Sequence, residues 1–167
     1  SAICPAPPII GAGSLLYVGV EHDAETQPSR VYAINTQTHA KVWEAQLSHR
    51  FDEAHMAIGL DNRLHVVGHQ MAYTFNGQTG VKLWEFQSPL AEEEFDSSPA
   101  IGSDGIVYFC GEESGRLYAL NGETGVLEWQ YQADASDATR GLRGNPCIGS
   151  DGTIYFGDDH GKKIYAL

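Results

Sequence analysis

Basic residues are scarce in this sequence. Ten Lys and Arg stand against 22 Asp and Glu, a formal net charge of −12 over 167 residues. A protein that grips nucleic acid or an anionic lipid surface carries a basic stripe, and this chain has none. Long apolar runs are missing too, so no stretch approaches the roughly 20 residues of a membrane-spanning helix. Cysteine is limited to Cys4, Cys110 and Cys147, without a Cys-x-x-Cys pair. That excludes a zinc ribbon and a disulfide framework, and leaves open one bridge or three small buried hydrophobes. No Asn-x-Ser/Thr acceptor occurs, and the first residues lack the basic and apolar regions of a signal peptide. Two methionines against nineteen glycines favour short strands and tight turns. Hydrophobic content of 42% with 19% charged residues is that of a globular chain, long enough to bury a core without staples.

What is abundant is repetition. Arg116-Leu117-Tyr118-Ala119-Leu120-Asn121 recurs as Arg30-Val31-Tyr32-Ala33-Ile34-Asn35, as Met71-Ala72-Tyr73-Thr74-Phe75-Asn76 and, at the end, as Lys163-Ile164-Tyr165-Ala166-Leu167. Trp43, Trp84 and Trp129 each fall 11 residues after Tyr32, Tyr73 and Tyr118. An offset kept three times with matching flanks marks an internal repeat.

One repeat reads as a meander of four strands. In the third copy, residues 98–101 form a short strand, 106–110 a β-branched and aromatic one, 116–120 an alternating one and 126–131 the last. Gly102-Ser103-Asp104-Gly105, Glu112-Glu113-Ser114-Gly115 and Asn121-Gly122-Glu123-Thr124-Gly125 separate them. Each turn supplies Gly or Asn where a positive φ is needed. The Ser-Asp-Gly at 103–105 and 150–152 is thus hairpin chemistry; a calcium loop needs more oxygen ligands at fixed positions. Short strands in a period above 40 residues predict an all-β fold of β-propeller blades, with a β-sandwich as the weaker competitor. The indole in each copy supplies an apolar plug between neighbouring sheets.

Ser98-Pro99, Ile101-Gly102-Ser103-Asp104-Gly105 and Tyr108-Phe109, followed by Gly115 to Asn121, Thr124-Gly125 and Trp129, resemble the repeat of PQQ-like (pyrroloquinoline-quinone-type) β-propellers. The resemblance covers about Pro8 to Leu167. It implies a single region, 1–167, with blades at about 8–47, 55–88, 98–132 and 145–167, the last without its outer strand. It also assigns a blade-docking role to Tyr32, Trp43, Tyr73, Trp84, Tyr118, Trp129 and Tyr165, with all three indoles buried between blades. His39 takes the place of the turn glycine in the first copy, and histidine is among the residues better tolerated at positive φ. The family usually closes seven or eight blades, so the expectation is part of a larger propeller, or a homodimer of two halves.

Some members of that family are dehydrogenases that hold PQQ with calcium beside an adjacent cysteine pair, a stacked tryptophan and a catalytic aspartate. Here no two cysteines adjoin and every tryptophan sits in a docking motif. The expectation is therefore no catalytic residue, no resident metal and no cofactor. A PQQ- and calcium-dependent alcohol or sugar dehydrogenase portion is the alternative. Other catalytic signals are weak. Gly11-Ala12-Gly13 leads into a strand rather than a helix. His65 and His69 need not converge on a strand turning at Gly68, and His65 aligns with Tyr17, Tyr108 and Tyr155. Asp158-Asp159-His160-Gly161 aligns with a polar hairpin turn.

Binding has a firmer basis. The connectors 48–55, 90–97 and 134–145 gather on one face in such a fold, where rigid blades carry variable loops. The second holds Glu92, Glu93, Glu94 and Asp96 with Phe95 exposed among them; the third holds Asp134 and Asp137 beside Arg140 and Arg143. Glu92, Glu93, Glu94, Phe95, Asp96, Arg140 and Arg143 are the candidate interaction surface. Such acidic loops select a basic protein partner or divalent cations, with an on-rate that falls as salt rises. The resemblance implies a scaffold or protein-interaction module outside the cytosol, periplasmic or extracellular.

Overall fold

The computed structural model describes residues 2–3, 7–22, 28–49, 51, 54–133, 141–158 and 162–167. Cys4, Asp134, Asp137, Arg140, Asp159 and His160 lie outside the described residues. The described residues are all-β apart from a single 3-10 turn at Ala12–Ser14. The first sheet holds β1 (Ala2–Ile3), β2 (Ile9–Gly11), β3 (Leu15–His22), β4 (Arg30–Asn35) and β5 (Lys41–Gln46). The second holds β6 (His55–Ile58), β7 (Arg63–Gly68), β8 (Met71–Asn76) and β9 (Lys82–Gln87). The third holds β10 (Ala100–Ile101), β11 (Ile106–Gly111), β12 (Arg116–Asn121) and β13 (Leu127–Gln132). The fourth has three strands, β14 (Cys147–Ile148), β15 (Ile154–Asp158) and β16 (Lys163–Ala166). All pairs are antiparallel, and β1 extends the inner edge of β3 beyond β2.

Local chemistry explains why these strands stop where they do. Asn35, Asn76 and Asn121 each accept two backbone N–H groups through Oδ1, from the residues two and three positions later, at 2.9–3.1 Å. That Asx turn reverses the chain into the outer strand, and the turn closes at a positive φ: 72° at Gly80, 73° at Gly125 and 57° at His39. The inner hairpins repeat a second device. Asp61, Asp104 and Asp151 accept the N–H two residues on at 3.0–3.1 Å, so the Ser-Asp-Gly segments are turn chemistry. A register shift recurs beside the last strand of each complete sheet, at Ala33/Ile34, Thr74/Phe75 and Ala119/Leu120. Such a bulge twists the outer strand and aims its tryptophan.

The core lies between the sheets rather than at one centre. Three apolar clusters fill the three successive interfaces, and the inner strands β2, β6, β10 and β14 touch in that order. This is the radial arrangement of propeller blades. Trp43 and Trp84 are 8% exposed, and each bridges to the following blade by donating its indole N–H, to Gly77 O at 2.8 Å and to Gly122 O at 3.0 Å. Each indole also lies across a turn glycine. A Cβ on Gly80 would stand 2.6 Å from Trp43, and one on Gly125 2.7 Å from Trp84. Glycine is needed there for clearance as well as for φ.

Trp129 departs from the expectation that all three indoles are buried. It is 38% exposed and leans on Tyr108 at 5.7 Å between ring centroids. The reason is what covers the ring. Trp43 and Trp84 each lie on a turn glycine of the following blade and donate to a glycine carbonyl there, and Trp129 makes no such contact among the described residues.

Candidate interaction surface

On one face the connectors between blades meet the turns that join each blade's middle strands. The connector between β9 and β10 is stitched into two such turns. Ser88 N–H donates to Gln70 O at 2.8 Å and Phe95 N–H to His69 O at 2.6 Å. Gln70 Nε2 donates to Ala91 O, and Glu112 N–H to Glu94 O at 2.7 Å. The segment therefore runs as a fixed ledge across the second and third blades.

The candidate residues on this ledge divide sharply. Phe95 is not exposed. Only 1% of it is accessible, and its ring meets Phe109 and Tyr118 edge-on at 4.8 and 5.1 Å. Glu93 is buried as well: Tyr118 Oη donates to its Oε2 at 2.6 Å and Ser114 N–H to its Oε1 at 3.2 Å. Its carboxylate occupies the space over Gly111, where a Cβ would come within 2.5 Å of Oε1. Burial, and then the acceptor Glu93, raise the Tyr118 hydroxyl above the ordinary tyrosine range. Both are anchors: Phe95 gains by removing its ring from water, and the cost of burying the Glu93 carboxylate is offset by the Tyr118 and Ser114 donors that satisfy it. Glu92 and Glu94 alternate with them and stay exposed.

Asp96 is half-buried and its Oδ1 stands 2.8 Å from His55 Nε2, linking the connector to the inner strand of the preceding blade. Ser98 Oγ stands 3.5 Å from His55 Nδ1, and Ser98 N–H donates to Asn145 Oδ1 at 2.7 Å. Arg143 donates through Nε to Glu112 Oε1 at 2.7 Å, so that cation neutralises a buried carboxylate on the neighbouring turn. Phe51 and Leu142 anchor the other two connectors as Phe95 anchors this one; Phe51 meets Tyr73 edge-on at 5.8 Å. Their separations from the preceding tryptophan differ, 8, 11 and 13 residues, so no constant spacing marks them in the sequence. A lone apolar residue inside a polar connector is the signal that could have found them.

The docking tyrosines occupy two settings. Tyr73 and Tyr118 are fully buried, Tyr32 and Tyr165 half-buried. Ser48 N–H donates to Tyr73 Oη at 3.2 Å, and Tyr165 stacks on Phe156 at 5.0 Å. His65 and His69 do not converge: His65 is buried and bonded to Thr74, whereas His69 sits exposed on a turn at φ 49°. Cys110 is buried, which pushes its thiol up to about 12, and Cys147 is exposed. Among the described residues no three His, Cys, Asp or Glu are grouped as metal ligands. No helix among them is long and apolar enough to cross a membrane.

With this geometry in hand, the family comparison is decisive. The model of PQQ-like repeats described as "Outer membrane protein assembly factor BamB" matches residues 6–166. The chain belongs to this family. No curated protein matches it in sequence. Among solved structures it is similar to BamB from Moraxella catarrhalis, with a TM-score of 0.66 and 16% identity over 97% of this chain and 52% of that one. It is similar also to quinohemoprotein alcohol dehydrogenase from Comamonas testosteroni, at 0.68 and 16% identity over 92% and 29%. A europium-containing methanol dehydrogenase gives 0.62 and 17% over 86% and 26%. These similarities establish the propeller fold. The chain spans between about a quarter and a half of the length of those proteins.

Proposed function

We propose that this PQQ-like propeller segment is a non-catalytic scaffold that captures a protein partner through its inter-blade connectors, outside the cytosol. One observation carries the reading: buried Glu93 and Phe95 pin the 88–99 connector, so that Glu92 and Glu94 project from a rigid acidic ledge. Pre-ordered loops lose little entropy on binding, and the −12 balance favours a basic segment of the partner. A lysine-rich peptide, followed by fluorescence anisotropy, is the probe. The Glu92→Lys/Glu94→Lys chain should lose binding at unchanged melting temperature, and the parent's affinity should fall as salt rises. Retained binding would remove the ledge from the interface.

A second reading rests on the likeness to the two dehydrogenases: the segment as part of a PQQ- and calcium-dependent enzyme. The residues described fit a quinone site less well. Trp43 and Trp84 spend their indoles on blade contacts, and Cys110 is separated from Cys147 in both sequence and exposure. A rise in melting temperature on adding PQQ with calcium would favour the enzyme.

A further inference from the structure

On the face opposite the connectors, one blade interface differs from the other two. At the position level with the second inner strand, three blades carry tyrosine paired with alanine: Tyr17 with Ala33, Tyr108 with Ala119, Tyr155 with Ala166. The second blade carries His65 paired with Thr74. The swap is coordinated, since His65 Nδ1 and Thr74 Oγ1 are 2.6 Å apart. Between the first two blades the tyrosine fills the gap, and Tyr17 Oη donates to Gly77 O at 3.1 Å alongside Trp43. Between the second and third blades the imidazole stops short. A cavity of about 600 Å³ opens there, walled by Ile58, Ile101, Arg63, His65, Asp104 and Glu123.

Its polar groups are poised for a ligand. Gly122 O, the counterpart of Gly77 O, accepts Trp84 alone among the described hydrogen bonds. Arg63 Nε is buried without an acceptor, although the guanidinium reaches Asp61 and lies 3.7 Å from Glu123 Oε1. An orphaned buried donor is costly, and a ligand oxygen would relieve it. At the rim, Asp61, Asp104 and Glu123 outnumber the one guanidinium. We propose that this cavity binds a small phenolic ammonium compound. The ring takes the place tyrosine holds in the other blades, between Ile58 and Ile101. The hydroxyl meets Gly122 O or Arg63 Nε, and the ammonium faces Asp104 and Glu123.

Tyramine titrated into the chain, followed at the Trp84 indole N–H resonance, tests this directly. Saturable binding is expected, with His65→Tyr abolishing it by refilling the gap. Asp104→Asn keeps the turn acceptor but removes the charge, and together with Glu123→Gln should weaken tyramine about tenfold. The neutral analogue p-cresol should bind more weakly and ignore those two changes. Tyramine binding unaltered by His65→Tyr, or absent in the parent chain, overturns the proposal. Should His65→Tyr fail to fold, the exposed Asp104→Asn/Glu123→Gln pair decides, and an unchanged affinity overturns it equally.

Discussion

His65 is a buried histidine whose ionisation is linked to folding. Burial holds it far below the ordinary histidine value, at about 4, despite the nearby Asp61 carboxylate. The unfolded chain therefore takes up a proton that the folded one refuses. The stability from keeping His65 neutral is complete above pH 6.5 and declines as the pH falls towards 4, by on the order of 3 kcal/mol. Denaturant titrations across that window should show the decline, and His65→Tyr should flatten it. Cysteine chemistry is as uneven. Iodoacetamide at about pH 8 should modify Cys147 and spare Cys110 in the native chain, because the thiolate is the nucleophile. Mass spectrometry of the native and denatured chain checks this, and rapid labelling of Cys110 would mean the third blade opens.

At the scale of elements, two devices hold the blades in place. The tryptophan-on-glycine contact is the first. Trp84→Ala should cost about 3–5 kcal/mol, as for other buried large aromatics. Trp129→Ala should cost less than half as much, since its ring is part-exposed and makes no bridging hydrogen bond among the described residues. Gly125→Ala meets Trp84 and a positive φ together, so a loss of about 1–3 kcal/mol is expected in thermal unfolding. The pinned connector is the second. Glu93→Ala leaves the Tyr118 hydroxyl and the Ser114 N–H without an acceptor, a cost of about 1–3 kcal/mol. Hydrogen exchange at Ser114 and Glu112 should quicken in that variant and stay unchanged in Glu92→Ala. If both variants exchange alike, Glu93 does not pin the ledge.

At the scale of the molecule, the outer faces of the first and fourth blades continue the pattern of the inner interfaces. Ile164 is 84% exposed, while Leu117, its counterpart in the third blade, is fully buried. Tyr155 stands exposed beside it, where Tyr108 is covered. The 167-residue chain taken alone is therefore expected to self-associate, and Ile164→Asp should suppress this in light scattering across a dilution series. A monomer at every concentration would contradict it. At the other end His39 carries a side chain where Gly80 and Gly125 admit an indole, so a ring of two chains would need His39 displaced.

The amino-acid sequence by itself determined the repeat, the strand order within a blade and the turn chemistry. These depend on neighbours a few residues apart: Asn121 bonding Glu123 and Thr124, or a positive φ at Gly125, is local physics. Even the docking indoles were legible as a spacing, since bulge and turn recur in register. Tertiary structure alone decided which connector residues face water. Phe95 and Glu93 read as surface groups because their partners, Tyr118 and Ser114, lie more than twenty residues away. The cavity beside His65 was likewise invisible along the chain. It exists only because a ring too short for its gap faces a neighbouring sheet, and distance between blades is set by packing rather than by sequence separation.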